Sequence, residues 1–259
     1  MKVGLISGTV PLDVEIKEEK NVNTPYGKPS SPLRYFQFNG IDYVHIKRHG
    51  DDHKTPPHMV SHKANLYALK KEGVERVIGI GSSGIINEDI QAGSLVVCSD
   101  FISLFGRPTF YDGCVVDGLD YSDGVVHVSL SEPFCKEFRG QVIENLKRLK
   151  IRYSEGVVAQ TRGPSLESSA EIRVLKILGG DLVNMTVASE AILARELGIC
   201  YAGICTGDNL AAGIGEKLTF KEIVKNAAES GKQVGKFLEG FSLGSKNCDC
   251  SEAPKLGKF

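Results

Sequence analysis

The chain has 259 residues, 41% hydrophobic and 24% charged, with a formal net charge of -1. That balance describes an ordinary globular chain able to bury a core without staples, and its near-zero charge sets up no field for nucleic acid or an anionic membrane. No apolar run approaches the ~20 residues of a membrane span, and acids follow the short apolar start at once, so the reading is a cytoplasmic protein without a signal peptide.

Strand-like and helix-like segments alternate along the chain. "VGLIS" (Val3–Ser7) and "YVHIK" (Tyr43–Lys47) read as strands, and His62–Gly73 as a helix closed by its glycine. "RVIGIGSSG" reads as a strand running into a glycine-serine turn, followed by the strand "SLVVCSD". Ser131 is the expected cap of a helix on which Cys135, Phe138, Val142, Leu146 and Leu149 share one face. "GVVAQT" reads as a strand ending at Thr161. Ser168 and Glu171 are spaced as a capping box, so the next helix begins at about Ser169. The strand "DLVNMT", the helix "SEAILARELG" and the strand "CYAGICTG" follow. A second capping box, Thr219 and Glu222, opens a long helix with Phe220, Ile223, Val224, Ala227, Val234 and Phe237 at helical spacing. Such alternation predicts a single-domain three-layer α/β/α architecture with a mixed, mainly parallel central sheet. Residues 1–241 form the domain in this reading, and residues 242–259 a C-terminal tail.

Seven cysteines are present, none in the paired C-x-x-C spacing of a zinc site, so no metal is expected from spacing. Buried, reduced thiols are the default for Cys98, Cys114, Cys135, Cys200 and Cys205, while the Cys248-Asp249-Cys250 tail is less ordinary.

Ligands of open α/β sheets sit beyond the carboxyl ends of strands. Six polar clusters occupy such places: Ser7 to Thr9, Arg48 to Gly50, Gly81 to Gly84, Thr161 to Glu167, Asn184 to Thr186 and Thr206 to Asn209. Singly, each reads equally as a turn or a solvated pair. Together they suit an oxyanion. Arg48 offers a planar fork of donors, His49 one more, Thr9 and Thr186 hydroxyls, and the small residues "GSSG" open backbone N–H groups. No P-loop lysine is present, which argues against a nucleoside triphosphate.

These landmarks, with "NTPYGKPS", "RHGDDH", "FYDG", "EPFC", "GPSLESSAE", "DLVNMT" and "ARELGICYA", resemble the trimeric purine nucleoside phosphorylases over nearly the whole chain. The likeness is strongest to the branch of methylthioadenosine and methylthioinosine phosphorylases. It implies the nucleoside phosphorylase fold, a homo-oligomer (trimer or dimer of trimers) and cleavage of a purine nucleoside by inorganic phosphate. Phosphate would be a co-substrate, with no metal, no organic cofactor, no nucleic acid and no membrane involved. Position by position, it implies a phosphate site of Thr9, Arg48, His49, Gly81, Ser82 and Thr186, with Met185 under the ribose and Asn209, Leu210 and Ala211 on the base side. Glu167 and Asn209 match the 6-oxopurine members, where a carboxylate accepts from N1–H and an amide reaches N7 and O6; with His49 they form the implied catalytic set. Phe220 and Leu166 would wall the 5′ group, an apolar pairing that suits methylthio, and His127 would reach it from a neighbouring subunit. The chain departs from the family pattern at "SGTV" (Ser7–Val10), at Gly81-Ser82, at "VASE" (Val187–Glu190) and at Asp208. Methylthioadenosine specificity, a nucleosidase using water, and a non-catalytic nucleoside-binding paralogue stay open at this point. Thermophilic relatives carry a Cys-x-Cys tail and internal disulfides, which implies that Cys135 and Cys200 are spatial neighbours whether or not they are oxidised.

Overall fold

The first strand shows how the sequence builds layers. In the computed structural model, which describes residues 2–10, 14–104, 106–112, 126–215 and 219–256 without the side chains of Phe220, Glu222 and Ile223, β1 spans Lys2–Ser7. Its side chains alternate between two cores, as the period of a strand requires. Ile6 joins Leu66 and Leu69 of α1 (His62–Lys71) and Ala191 and Ala194 of α4 (Val187–Glu196). Val3 and Leu5 join Phe138 and Val142 of α2 (Lys136–Arg148) and Val234 and Phe237 of α5 (Phe220–Gly240) on the other face. A third cluster lies under α3 (Ser169–Ile177), around Ile172 and Leu175. The result is the α/β/α architecture expected.

The remaining strands are β2 (Glu18–Lys20), β3 (Leu33–Phe38), β4 (Ile41–Lys47), β5 (Arg76–Ile85), β6 (Leu95–Ser103), β7 (Tyr153–Gln160), β8 (Leu182–Asn184) and β9 (Cys200–Leu210). They form one mixed sheet in the order β2-β3-β4-β1-β5-β8-β7-β6-β9. It is not fully open, because β5 also pairs in parallel with β9 and closes β5, β8, β7, β6 and β9 into a ring. β2 and β3 are additions that the alternation of strand and helix did not reveal.

Two local expectations change. Gly81–Gly84 is not a turn: β5 runs straight through it, held by β9 with a register shift between Ser83 and Gly84. Nor does Ser131 cap α2. The cap is Cys135, whose Sγ accepts from the Phe138 N–H at 3.4 Å, while the Ser131 hydroxyl pairs with that of Ser129. The capping box of α3 forms as read, with Ser168 Oγ accepting from Glu171 N–H at 3.3 Å and Glu171 Oε2 from Ser168 N–H at 2.7 Å.

Beyond α5 the chain is fastened to the body by polar bonds rather than trailing free. Arg76 Nη1 donates to the Gly244 carbonyl at 2.7 Å, Gln141 Nε2 to that of Ser245 at 2.8 Å, and Asn247 N–H to Glu137 Oε2 at 2.8 Å. Phe241, Cys250 and Ala253 are buried, the last opening the short α6 (Ala253–Leu256).

Candidate active site

The site starts from a gap in the sheet. β1 pairs with β5 only as far as Ile80, and β8 takes up β5 only from Gly84. Gly81, Ser82 and Ser83 therefore have a strand partner on the β9 side alone. Backbone that the sequence marked as permissive is thus left without a strand neighbour on one side, not bent into a turn. A cleft of about 260 Å³ opens there. Its walls include Thr9, Arg48, His49, Gly81, Ser82, Leu166, Glu167, Met185, Thr186, Asn209 and Ala211, drawn from all six polar clusters. Leu210 does not line it; half-buried, it packs against the hydrophobic clusters instead. The Phe220 side chain lies outside the described residues, and His127 is exposed and lines neither this cleft nor its neighbour.

Arg48 is 1% exposed and its guanidinium is already committed on one side. Nε donates to Glu190 Oε1 at 2.5 Å, Nη2 to Glu190 Oε2 at 3.0 Å, and Nη1 to the Ile80 carbonyl at 2.7 Å. Burial opposes the charge, but Glu190 outweighs it and raises the Arg48 pKa. Nη2 also donates to the Ile6 carbonyl at 3.5 Å, which leaves one Nη1 hydrogen, on the side of Gly8, where an added Cβ would stand 2.8 Å from Nη1 and 3.2 Å from His49 Nε2. Gly8 therefore keeps both groups open to the cleft. Glu190 is the functional residue that sequence reasoning missed. Fully buried, it also accepts from the Tyr201 hydroxyl at 2.7 Å. A lone carboxylate in the apolar run "ASEAILA" was the signal available.

His49 Nδ1 lies 2.8 Å from the Thr55 carbonyl. A carbonyl only accepts, so Nδ1 carries the hydrogen and Nε2 of the neutral ring presents a lone pair, not the extra donor expected from sequence. Burial, helped by Arg48, lowers the His49 pKa to about 4. His62, which lines the adjoining larger cleft, is lowered to about 4 by burial.

Asn184 organises the next corner. Its Oδ1 accepts from the N–H groups of Thr186 at 2.8 Å and Val187 at 2.9 Å, and its Nδ2 donates to the Ser82 carbonyl at 2.8 Å. One side chain thus ties the start of α4 to the one-sided stretch of β5, setting a helix N-terminus beside the cleft, where negative charge is favoured. The departures from the family pattern make local sense. Ser189 exchanges two bonds with the Gln160 amide, at 2.7 and 2.9 Å, fastening α4 to β7. Asp208, whose pKa burial raises, accepts from Thr206 at 3.0 Å, from Ser230 at 3.1 Å and from Ser82. Ser7 Oγ is buried against His45 Nε2 at 2.8 Å.

On the far wall, Thr161 Oγ1 donates to Glu167 Oε1 at 2.5 Å, which orients the carboxylate and leaves Oε2 for another donor. Asn209 Nδ2 spends one hydrogen on the Leu210 carbonyl at 2.9 Å. Gly163, at φ +64°, lies directly over Met185, whose Sδ and Cε occupy the space a Cβ would need. Between an oxyanion corner and this carboxylate-amide pair, the cleft can hold a molecule that is anionic at one end and a hydrogen-bonding ring at the other.

Comparison with known proteins agrees with this shape. The family model described as the phosphorylase superfamily matches residues 2–242. A probable S-methyl-5′-thioinosine phosphorylase of Thermodesulfovibrio yellowstonii is 35% identical, covering 100% of this chain and 98% of that protein. A 6-oxopurine nucleoside phosphorylase of Pyrococcus furiosus is 37% identical, covering 96% and 95%. Among solved structures, methylthioadenosine phosphorylase of Schistosoma mansoni in complex with adenine superposes with a TM-score of 0.85 at 29% identity, covering 92% of this chain and 90% of that one.

Proposed function

The chain belongs to the phosphorylase superfamily, and from that premise we propose that it cleaves the N-glycosidic bond of a 6-oxopurine nucleoside with inorganic phosphate. The observation that carries this reading is the convergence of Glu167 and Asn209 with Thr9, Arg48, His49, Thr186 and the Gly81-Ser82 backbone on one cleft. Phosphate would sit against the free Nη1 hydrogen of Arg48, the backbone of β5 and the start of α4, with Met185 under the ribose. An oxygen of phosphate attacks C1′, the bond from C1′ to the purine nitrogen breaks, and its electron pair leaves on the ring. No side-chain nucleophile is involved. The protein's work is placement and stabilisation of charge. Glu167 accepts from N1–H, and the remaining Asn209 Nδ2 hydrogen reaches N7 or O6, where charge develops. His49, neutral with Nε2 toward phosphate, accepts from a phosphate O–H.

Apolar Leu166 on the cleft wall and the methylthioinosine enzyme among the relatives both favour a 5′-methylthio substrate over a 5′-hydroxyl one. The same reading makes this a cytoplasmic enzyme of purine salvage, assembled as a trimer or a dimer of trimers in which the exposed His127 completes a neighbour's site. No helix among the described residues is long and apolar enough to cross a membrane.

A panel of methylthioinosine, inosine, guanosine, methylthioadenosine and adenosine, each with and without phosphate, tests the assignment. Faster cleavage of the adenine nucleosides would overturn the base assignment, and turnover without phosphate would overturn phosphorolysis. For shared sites, mixing a His127→Ala protein with a Thr9→Ala protein should restore activity on reassembly; strictly additive activities would count against them.

A further inference from the structure

The fold gathers four cysteines that the sequence keeps far apart. Cys135 caps α2, Cys200 opens β9, and Cys248 and Cys250 lie in the segment beyond α5. Their four Sγ atoms all lie within 4.8 Å of one another. Cys135, Cys200 and Cys250 are buried and Cys248 is half-buried. The backbone fixes three of these positions independently. Cys135 N–H donates to the Tyr201 carbonyl at 3.0 Å, Cys200 N–H to that of Glu75 at 2.9 Å, and Gly198, at φ +67°, leaves so little room that a Cβ there would meet Ser251 and the Cys250 carbonyl at 3.1 to 3.3 Å.

We infer that Cys135, Cys200, Cys248 and Cys250 form a structural four-thiolate site for a zinc ion, which fastens the C-terminal segment to the start of β9 and the N-terminus of α2. Zinc bound to four cysteines is tetrahedral with Zn–S near 2.3 Å, which puts the sulfurs about 3.8 Å apart. The observed cluster brackets that edge. The Cys200–Cys248 pair, at 3.2 Å, needs to open by only a fraction of an ångström. A disulfide asks for the opposite movement, to about 2.05 Å, and pairs sulfurs two by two instead of making all four mutual neighbours. The surroundings suit the charge. On binding, four thiols lose their protons to solvent and the ion with four thiolates carries a net negative charge. Arg195 Nη1 donates to Cys250 Sγ at 3.5 Å, and the Phe138 N–H at the α2 N-terminus donates to Cys135 Sγ at 3.4 Å. A soft four-sulfur set without carboxylate or water is the donor chemistry that zinc takes and that magnesium and calcium refuse. All four ligands are used, so the site is closed and structural rather than catalytic. It also stands apart from the cleft, sharing no lining residue with it.

The test uses the full chain, produced with zinc in the medium and purified under a mild thiol reductant. Elemental analysis should find about one zinc per chain, and X-ray absorption at the zinc edge should find four sulfurs at ~2.3 Å. A Cys248→Ser/Cys250→Ser variant, which leaves both body cysteines in place, should lose the stoichiometric zinc. Chelation of the wild type should make the segment after Lys246 sensitive to protease. Reloading the chelated wild type with Co2+ should produce the thiolate-to-metal charge-transfer band of a tetrahedral sulfur site, a readout independent of whether the variant folds. Less than a tenth of an equivalent of zinc in reduced protein, or alkylation mass spectrometry that finds the four cysteines joined in disulfides in protein taken directly from cells, overturns the proposal. Neither result bears on the phosphorolysis reading.

Discussion

Glu190 sits under the proposed phosphate site without facing it, and removing its charge separates what holds Arg48 from what Arg48 holds. The carboxylate accepts from Arg48 Nε and Nη2 and from the Tyr201 hydroxyl, and none of these groups meets water. Truncation to alanine strands a buried guanidinium, at about 3–5 kcal/mol, and a buried hydroxyl, at about 1–3 kcal/mol. That sum rivals the whole stability of a typical domain, so Glu190→Ala is a poor probe. Glu190→Gln keeps the shape and one acceptor but not the charge, and about 3 kcal/mol of lost stability is expected, at the lower end for a broken buried pair. Arg48 then swings toward whatever anion is available, so the KM for phosphate changes while that for nucleoside holds. The double variant Arg48→Met/Glu190→Met removes both charges at similar volume. It still strands the Tyr201 hydroxyl, so it should recover stability to within about 1–3 kcal/mol of the native protein and yet show no phosphate-dependent turnover. Urea denaturation and phosphate titration measure the two effects separately. A Glu190→Gln protein with native unfolding midpoint and native phosphate KM would refute the argument, as would a double variant less stable than the single one.

Three further outcomes are expected. Glu167→Gln exchanges a charged acceptor for a neutral one, about 1–2 kcal/mol, so kcat/KM for 6-oxopurine nucleosides should fall about 5- to 30-fold with the phosphate KM unchanged; equal loss on adenine nucleosides would contradict the N1–H contact. Burial lowers the pKa of His45 to about 3 and of His49 and His62 to about 4. These rings bind fewer protons folded than unfolded, so their contribution is complete above about pH 6.5 and is lost as pH falls toward 4 for His49 and His62 and toward 3 for His45, at about 1.4 kcal/mol per pH unit for each; denaturation midpoints that stay flat from pH 7 to pH 5 would refute this. Gly163→Ala forces a side chain into the left-handed region and into Met185, so a cost of about 1–3 kcal/mol and a raised nucleoside KM are expected; a crystal structure of the variant with Met185 unmoved would show the reasoning wrong.

What could be read directly from the sequence was local or periodic. The Ser168–Glu171 box spans four residues and forms as written, and the alternation of β1 between two cores follows from its period. What could not be read depends on partners far along the chain. "GSSG" has turn composition, yet a strand on one side holds it extended, and small residues carry no side-chain signal of that pairing. The Arg48–Glu190 pair spans 142 residues. Cys135 as a helix cap defeats a rule built on hydroxyls, because sulfur can accept the same N–H group. The polar clusters were legible as a set and all six reach one cleft, but not for the reason read from sequence: two lie inside β5 and β9, and the carboxyl ends of β7 and β8 point opposite to that of β5. Which hydrogens remain free at Arg48 and His49 was not legible, because that depends on what each already binds.

The ring closure by β5 and β9 acts as a gauge. Gly81 stands beside Cys205, and after the register shift Gly84 stands beside Asn209, so the oxyanion end and the amide end of the cleft are marks on one hydrogen-bonded ladder. Three residues of strand separate them, about 10 Å at ~3.3 Å per residue. The span between the two ends of a bound molecule is therefore set by covalent chain and ladder, not by loops that can adjust. A ligand one bond too long cannot be accommodated by yielding of the floor, whereas a change of ring chemistry at Glu167 or Asn209 alters recognition with the spacing intact. Such a cleft is free to change which base it accepts and rigid about how far that base stands from the anion.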